Sequence, residues 1–324
     1  MRQLFRKNNS LQTLFCYLLV ISSSHADTPA DIAKQAHLAN INALLIFTSQ
    51  EGLSSGHYRF TDIGVDMDIY HLPFNYQLPS QENGINYFVV GNVGYSRTFL
   101  SEDIEVSPGG RLDYDNHLRT YTAGIGGGIR YEAQKNFYFS GGFELIYSRS
   151  GASVRKPDDD IGDAIEDFFD QNYNDNISYK LFADMLYQPI GYRYKPYAKL
   201  SFKLYETKST FEFDDLASFQ SHSNITTLTL GVETPKLLNS DGNYLTLEGY
   251  INGNYLTGQV TESTKVDTYG TLGTVAYWYT PRYPAWADRF FLELSTVNAS
   301  GLEGYNIGIG FTLNFGSSSH HSTN

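Results

Sequence analysis

Past position 16 the chain contains no cysteine, past its opening segment it contains no long apolar run, and its basic residues are few: 23 Lys and Arg against 35 Asp and Glu in 324 residues. Each shortage excludes something. The acidic balance argues against nucleic acid as a partner. The lack of a second apolar run removes any transmembrane helix. The one apolar run, LFCYLLVI, follows the basic MRQLFRKNN and precedes SHA, a small-x-small pattern at residues 24–26. That is a secretory signal peptide, with cleavage expected after Ala26. Cys16 lies inside the apolar run, which continues past it, unlike a lipoprotein attachment site. Cleavage removes three basic residues and no acid, leaving 298 residues with 20 basic against 35 acidic side chains, a net charge of −15. Small secreted domains lean on disulfides, so a cysteine-free export product must be held another way. A large closed sheet suffices.

What the chain does hold is 26 Tyr, 21 Phe and 29 Gly at a mean hydropathy of −0.34. These residues are ordered with a period of two. The stretch YNIGIGFTLNF, residues 305–315, puts Tyr305, Ile307, Ile309, Phe311, Leu313 and Phe315 on one face and Asn, Gly or Thr on the other, as a strand with one apolar face requires. The same alternation predicts strands near 41–50, 57–78, 85–99, 119–133, 136–149, 177–188, 192–206, 223–234, 243–256, 266–280, 289–298 and 305–315. Twelve is an even number, as single-chain bacterial barrels use. The connections sort by length: PSQENG, EAQKN, QPIGY and PKLLNSDGN are short, whereas 100–118, 150–176 and 207–222 are long. Membrane barrels have tight periplasmic turns and long extracellular loops, which places both termini on the periplasmic side. The fold expected is an all-β, antiparallel, up-and-down transmembrane barrel of about twelve strands.

Facing follows strand by strand. Phe137, Phe139, Phe143, Leu145 and Tyr147 are expected on the lipid side, with Tyr138, Ser140, Gly142, Glu144 and Ser148 inside. In the next hairpin Tyr179, Leu181, Ala183, Met185 and Tyr187 face out, opposite Tyr192, Tyr194, Ala198, Leu200, Phe202 and Leu204. Aromatics at strand ends suit a membrane girdle. A soluble barrel with cross-strand aromatic packing would read similarly, but an export signal and sorted loops favour the membrane.

With its short N-terminal segment, about twelve strands and a lumen face rich in Gly and small polar residues, the chain resembles autotransporter-type outer-membrane barrels. The match spans nearly all of 27–315, and with only 27–40 before the first expected strand it is most similar to the solitary, passenger-less members. The resemblance implies signal peptide 1–26, a short segment or helix 27–40, a barrel over 41–315 and a flexible tail 316–324. It further implies that DIAKQAHLAN, residues 31–40, is a lumen helix; a loose periplasmic segment is the alternative reading of the same residues. The aromatic-alternating last strand resembles the signal read by the barrel assembly machinery, although here GSSSHHSTN follows Phe315. Implied partners are outer-membrane lipid, lipopolysaccharide and the assembly machinery, with the protein a monomer and no cofactor.

Four basic residues, Arg193, Lys195, Lys199 and Lys203, fall on the inward face of one strand beside Lys180 and Asp184 of its neighbour. Glu132, Glu144, Glu248 and Glu293 are inward acids elsewhere. Two readings stand: an ion path with a transverse field, or a salt-bridged plug in a narrow interior. In GIGGGIRYE, Gly124, Gly126 and Gly128 point inward ahead of Arg130 and Glu132. They alternate straight through a strand instead of opening a helix, so this is no phosphate loop; inward glycines leave room for curvature, aromatics or a lumen helix. The loop KPDDDIGDAIEDFFDQNYNDN carries Ile161, Ile165 and Phe168 at helical spacing. Its acids lack EF-hand spacing and read as a solvated surface, or as ligands for Ca²⁺ or for cations on lipopolysaccharide.

Two enzyme-like features remain. Asp66 and Asp68, with Asp113, Asp115 and His117, resemble the rim acids of the omptin proteases, which have fewer strands. His222 and Ser223 are adjacent on a strand and must point to opposite faces, so they cannot pair as base and nucleophile. The sequence therefore favours a pore-like or structural envelope barrel over a rim protease or an adhesion barrel acting through its long loops.

Overall fold

The computed structural model describes residues 38, 40–45, 53–78, 84–106, 110–154, 173–211, 218–240, 242–280 and 287–313. The expected signal peptide, the expected C-terminal tail, the acidic loop with Ile161, Ile165 and Phe168, and Phe315 lie outside the described residues. Among those described, the first element is helical, residues 40–45 (α1). Strands follow as β1 (Leu53–Phe60), β2 (Val65–Gln77), β3 (Ile85–Val106), β4 (Gly110–Gln134), β5 (Phe137–Val154), β6 (Tyr173–Tyr187), β7 (Lys195–Phe211) and β8 (Phe219–Glu233). The stub β9 (Leu238–Ser240), β10 (Asn243–Gly258), helix α2 (Gln259–Thr264), β11 (Thr268–Tyr279), β12 (Ala287–Ala299) and β13 (Leu302–Leu313) complete the order.

Every pairing is antiparallel, and β13 pairs back onto β1 from Leu53↔Ile309 to Phe60↔Leu302, so the sheet closes. The stub β9 pairs only with the foot of β10 as part of a turn. The barrel therefore has twelve staves.

Two expectations are corrected. Residues 40–45 are helical, so the strand anticipated at 41–50 does not form there; the stretch anticipated at 57–78 is instead a hairpin, β1 and β2, joined at residues 61–64. The two errors offset and the count stands. The loop anticipated at 100–118 is also wrong, because β3 and β4 stay paired to Val106↔Gly110. At 22 and 25 residues these strands are more than twice the roughly 10 needed to cross a bilayer. They carry the sheet well beyond the wall at the loop end.

Alternation sorts side chains as the sequence requires. Tyr121, Ile125, Ile129 and Tyr131 on β4, Phe139, Phe143, Leu145 and Tyr147 on β5, and Tyr179, Leu181 and Tyr187 on β6 are exposed on the outer wall. On β13 Tyr305, Ile307, Ile309 and Phe311 are exposed likewise, and they lie beside the seam with β1. The result is an apolar band with tyrosines at its edges. At the turn end, Asn136 takes a left-handed conformation (φ 73°) that lets Lys135 and Asn136 join β4 to β5 directly. Inward glycines accommodate the curvature: a Cβ at Gly126 would stand 2.0 Å from the Phe143 carbonyl oxygen across the ladder.

The barrel has an internal core, at the loop end. Ile41, Leu44 and Leu45 of α1 are buried in one cluster with Tyr58, Phe60, Met67 and Ile69 of the first hairpin and with Leu256, Val260 and Val266 around α2. Lys at Phe143, which is 62% exposed in the middle of the apolar band, should cost about 2–4 kcal/mol of stability in the bilayer. Ser140→Lys, on the inner face opposite Asp184, should cost far less. Urea unfolding of the two variants in liposomes checks this, and the reverse order would mean the facing is shifted by one residue.

Candidate functional site in the lumen

The lumen has two storeys. At the loop end the inner wall is a belt of small hydroxyl and amide side chains: Ser96, Thr98, Thr120, Ser150, Asn174, Ser178, Thr207, Ser209, Ser221 and Ser223 are all buried. Short polar side chains at successive inward positions leave the width that a helix needs. Two asparagines of α1 use this belt. Asn40 donates to the Thr120 hydroxyl at 2.7 Å and accepts from Thr98 at 2.8 Å, on β4 and β3. Asn42 accepts from Ser221 (3.2 Å) and Ser223 (3.1 Å) on β8 and donates to Ser263 of α2 (3.2 Å). Positions 40 and 42 lie about 200° apart around a helix, and β8 stands four to five staves from β3 and β4 around the ring. The two side chains thus brace α1 against nearly opposite walls. Tyr205 of β7 donates to the Leu45 carbonyl at 3.3 Å, satisfying a helix-end acceptor.

Toward the turn end the lumen becomes charged. Lys180 pairs with Glu144 at 2.9 Å, and Asn92 donates to the other oxygen of that carboxylate. Lys199 meets Asp184 at 3.8 Å and Lys195 meets Glu233 at 3.2 Å. Tyr197 donates to Glu248 at 2.6 Å, Tyr250 donates to Glu293, and Tyr279 donates to Glu233 at 3.4 Å. Gly124 makes the innermost of these contacts possible, since a Cβ there would lie 2.6 Å from the Asn92 amide and 2.8 Å from the Glu144 carboxylate. Lys203 also occupies an inward position, in register with Ile225 and Phe182. His71 is buried with no hydrogen-bond partner for either ring nitrogen among the described residues, and it lies within electrostatic range of Lys180 and Lys203.

Lys180, Lys195, Lys199 and Lys203 occupy inward positions, and for three of them the acid met is a neighbour on an adjacent strand: Glu144 for Lys180, Glu233 for Lys195 and Asp184 for Lys199. Glu144↔Lys180 and Lys195↔Glu233 are direct cross-strand partners. Arg193 is corrected: β7 begins at Lys195, and Arg193 is exposed in the turn before it. Glu132 is corrected too, because it is exposed and accepts the Asn136 backbone N–H at 3.3 Å in the β4–β5 turn. Arg130 points inward and stacks over Tyr138 at 4.5 Å. The sequence reading missed Glu233, Asn92, His71 and the inward tyrosines. Glu233 ends its strand and looked like a turn residue.

Among the described side chains the rim residues do not converge. Asp66 and Asp68 point outward on β2, bound to Arg59 (2.8 Å) and His57 (2.9 Å). His117 is on β4 against Phe99 of the intervening β3. Asp115 is in register with Ser101, and its side chain lies outside the described ones. His222 is exposed while Ser223 is buried on the inner face, so they are on opposite sides of the wall. Among the described residues no group of three or more His, Cys, Asp or Glu is placed to hold a metal ion.

No protein-family model matches the chain, and no curated protein does. Solved structures do. The translocator domain of the autotransporter NalP from Neisseria meningitidis aligns at a TM-score of 0.55 and 13% identity, covering 87% of this chain and 97% of that one. The transport unit of the autotransporter AIDA-I from Escherichia coli aligns at 0.55 and 8% identity, covering 88% and 99%. The chain thus has the fold of an outer-membrane β-barrel similar to autotransporter translocator domains.

Glu144 is 4% exposed and Lys180 15%, so breaking this pair is expensive. Glu144→Gln should destabilise the barrel by about 3–5 kcal/mol, whereas Glu144→Leu combined with Lys180→Met should recover most of the loss. Thermal unfolding of both variants, followed by the band shift between unboiled and boiled samples, reads the difference.

Proposed function

We propose that the protein is exported by its signal peptide, inserted in the outer membrane as a monomer, and acts there as a narrow, helix-plugged pore-like envelope barrel and not as an enzyme. The observation that carries this reading is α1 braced between opposite walls through Asn40 and Asn42. Below it, cross-strand ion pairs take up most of the inward charge, leaving a constricted polar chamber in place of a wide channel. This supports the salt-bridged reading of the lysine stripe. The barrel assembly machinery would read the outward Tyr305, Ile307, Ile309 and Phe311 of β13, which lie beside the seam with β1 that closes the ring.

Because the brace is made of hydrogen bonds to neutral hydroxyls, each worth about 1 kcal/mol net, it is strong enough to favour the closed lumen and weak enough to open. In planar bilayers the wild type should give small or intermittent currents. Asn40→Ala with Asn42→Ala should raise the open fraction, and Lys195→Gln with Lys199→Gln should increase cation preference by leaving Glu233 and Asp184 without their cations. Absence of current in both wild type and the Asn40/Asn42 variant would leave a structural barrel. Peptide cleavage by the purified protein, lost on Asp115→Asn, would point to the rim protease instead.

A further inference from the structure

Above the tyrosine girdle on the outer wall, four arginines face outward, and they are not equivalent. Arg59 has Asp66 at 2.8 Å and Glu303 at 3.7 Å, and Arg149 has Asp175 at 3.8 Å. Arg97 and Arg119 have no ion pair among the described residues. Yet they are direct cross-strand partners on β3 and β4, on the same face, because their neighbours Ser96, Thr98, Leu118 and Thr120 are all buried on the other. Side chains so paired start with Cβ atoms roughly 5 Å apart, and like charges there repel. The nearest acid in register is Asp68, opposite Arg97, and it is bound to His57 at 2.9 Å. Arg97 is held by its guanidinium lying 4.5 Å over the Phe99 ring, and its buried Nε has no acceptor among the described residues.

Directly beneath this pair, two residues down each strand, Tyr95 and Tyr121 pack at 5.1 Å, with Tyr70 at 6.1 Å from Tyr95. Such tyrosines mark the level of the headgroups. Two guanidinium forks with no ion pair among the described residues, side by side at that level, suit a tetrahedral dianion, which accepts several N–H donors at once. We propose that Arg97 and Arg119 bind a phosphate monoester of an outer-leaflet glycolipid of the lipid A type, fixing the β3–β4 face against the lipopolysaccharide layer. The proposal rests on outer-membrane placement. It does not depend on whether the lumen conducts.

The test uses the full mature chain folded in detergent, with lipid A carrying both its phosphates, dephosphorylated lipid A, phosphatidylglycerol vesicles and inorganic phosphate as separate probes. Phosphorylated lipid A should bind and raise the unfolding temperature. Arg97→Gln with Arg119→Gln should weaken that binding about tenfold or more, as expected for losing charge-assisted hydrogen bonds. Arg149→Gln, whose parent residue already has its acid, should leave it unchanged. Without lipid, Arg119→Gln should be no less heat-resistant than wild type, since it removes a repulsion; that single variant also carries the binding test should the double one fail to assemble. Equal effects from dephosphorylated lipid A, phosphatidylglycerol or inorganic phosphate would overturn the proposal, as would unchanged binding by the variants. Failure of the wild type to form a heat-modifiable barrel in any lipid would instead overturn the membrane placement on which it rests.

Discussion

A sheet that crosses a bilayer has nowhere to leave an unpaired backbone group, because hydrocarbon supplies no donor or acceptor and each orphan costs several kcal/mol. The seam between β1 and β13 is where this chain meets that requirement, with eight residues of β1 in register against the last strand. Everything else depends on it. Closure fixes one wall facing lipid and one facing a lumen, so a period-two sequence becomes an apolar outside and a small, polar inside. Closure also brings β3, β4 and β8 around a common axis, so that Asn40 and Asn42 can reach wall on either side of one short helix.

The inner wall then divides by side-chain length. Ser, Thr and Asn at the loop end leave space, and α1 fills it with its own apolar core of Ile41, Leu44 and Leu45 against Tyr58, Phe60 and Met67. Lys, Glu and Tyr at the turn end reach one another and fill the space themselves. The charged storey is thereby held by neighbours: Lys180 with Glu144, Lys195 with Glu233, Lys199 with Asp184. Cross-strand pairing of this kind neutralises the wall locally and creates little field across the bore.

The barrel was legible in the sequence because alternation is a local property that a one-dimensional reading can follow, as it did correctly from Phe137 to Tyr147. The start of the chain was not. Ile41, Ala43 and Leu45 alternate as a strand would, and α1 is buried on every side, so it shows no single apolar stripe to betray a helix. Conversely β1 shows no run of apolar residues on its outer face, because Ser55, His57 and Arg59 occupy successive outward positions there. Its pairing partners could not be read from its own residues. The lysine stripe was legible from parity, but which acid each lysine meets depends on register and tilt, and that is how Glu233 was missed and Glu132 and Arg193 misplaced. The Arg97–Arg119 pair was invisible for the same reason, as the two lie 22 positions apart in the chain and become partners only through the long β3–β4 hairpin.

The central claim is that α1 sits inside the closed barrel, tied to two walls. Disulfide trapping tests it most directly, because Cys16 is the single cysteine of the sequence and Cys16→Ser leaves no competing thiol. Cysteines at Asn40 and Thr120, and separately at Asn42 and Ser223, should each cross-link on mild oxidation in the assembled, heat-modifiable form, and each cross-link should hold the lumen closed in planar bilayers. If neither pair cross-links in assembled barrels, and the cysteine at position 40 reacts freely with a bulky water-borne maleimide, the helix is not in the lumen and the plugged-barrel reading is contradicted.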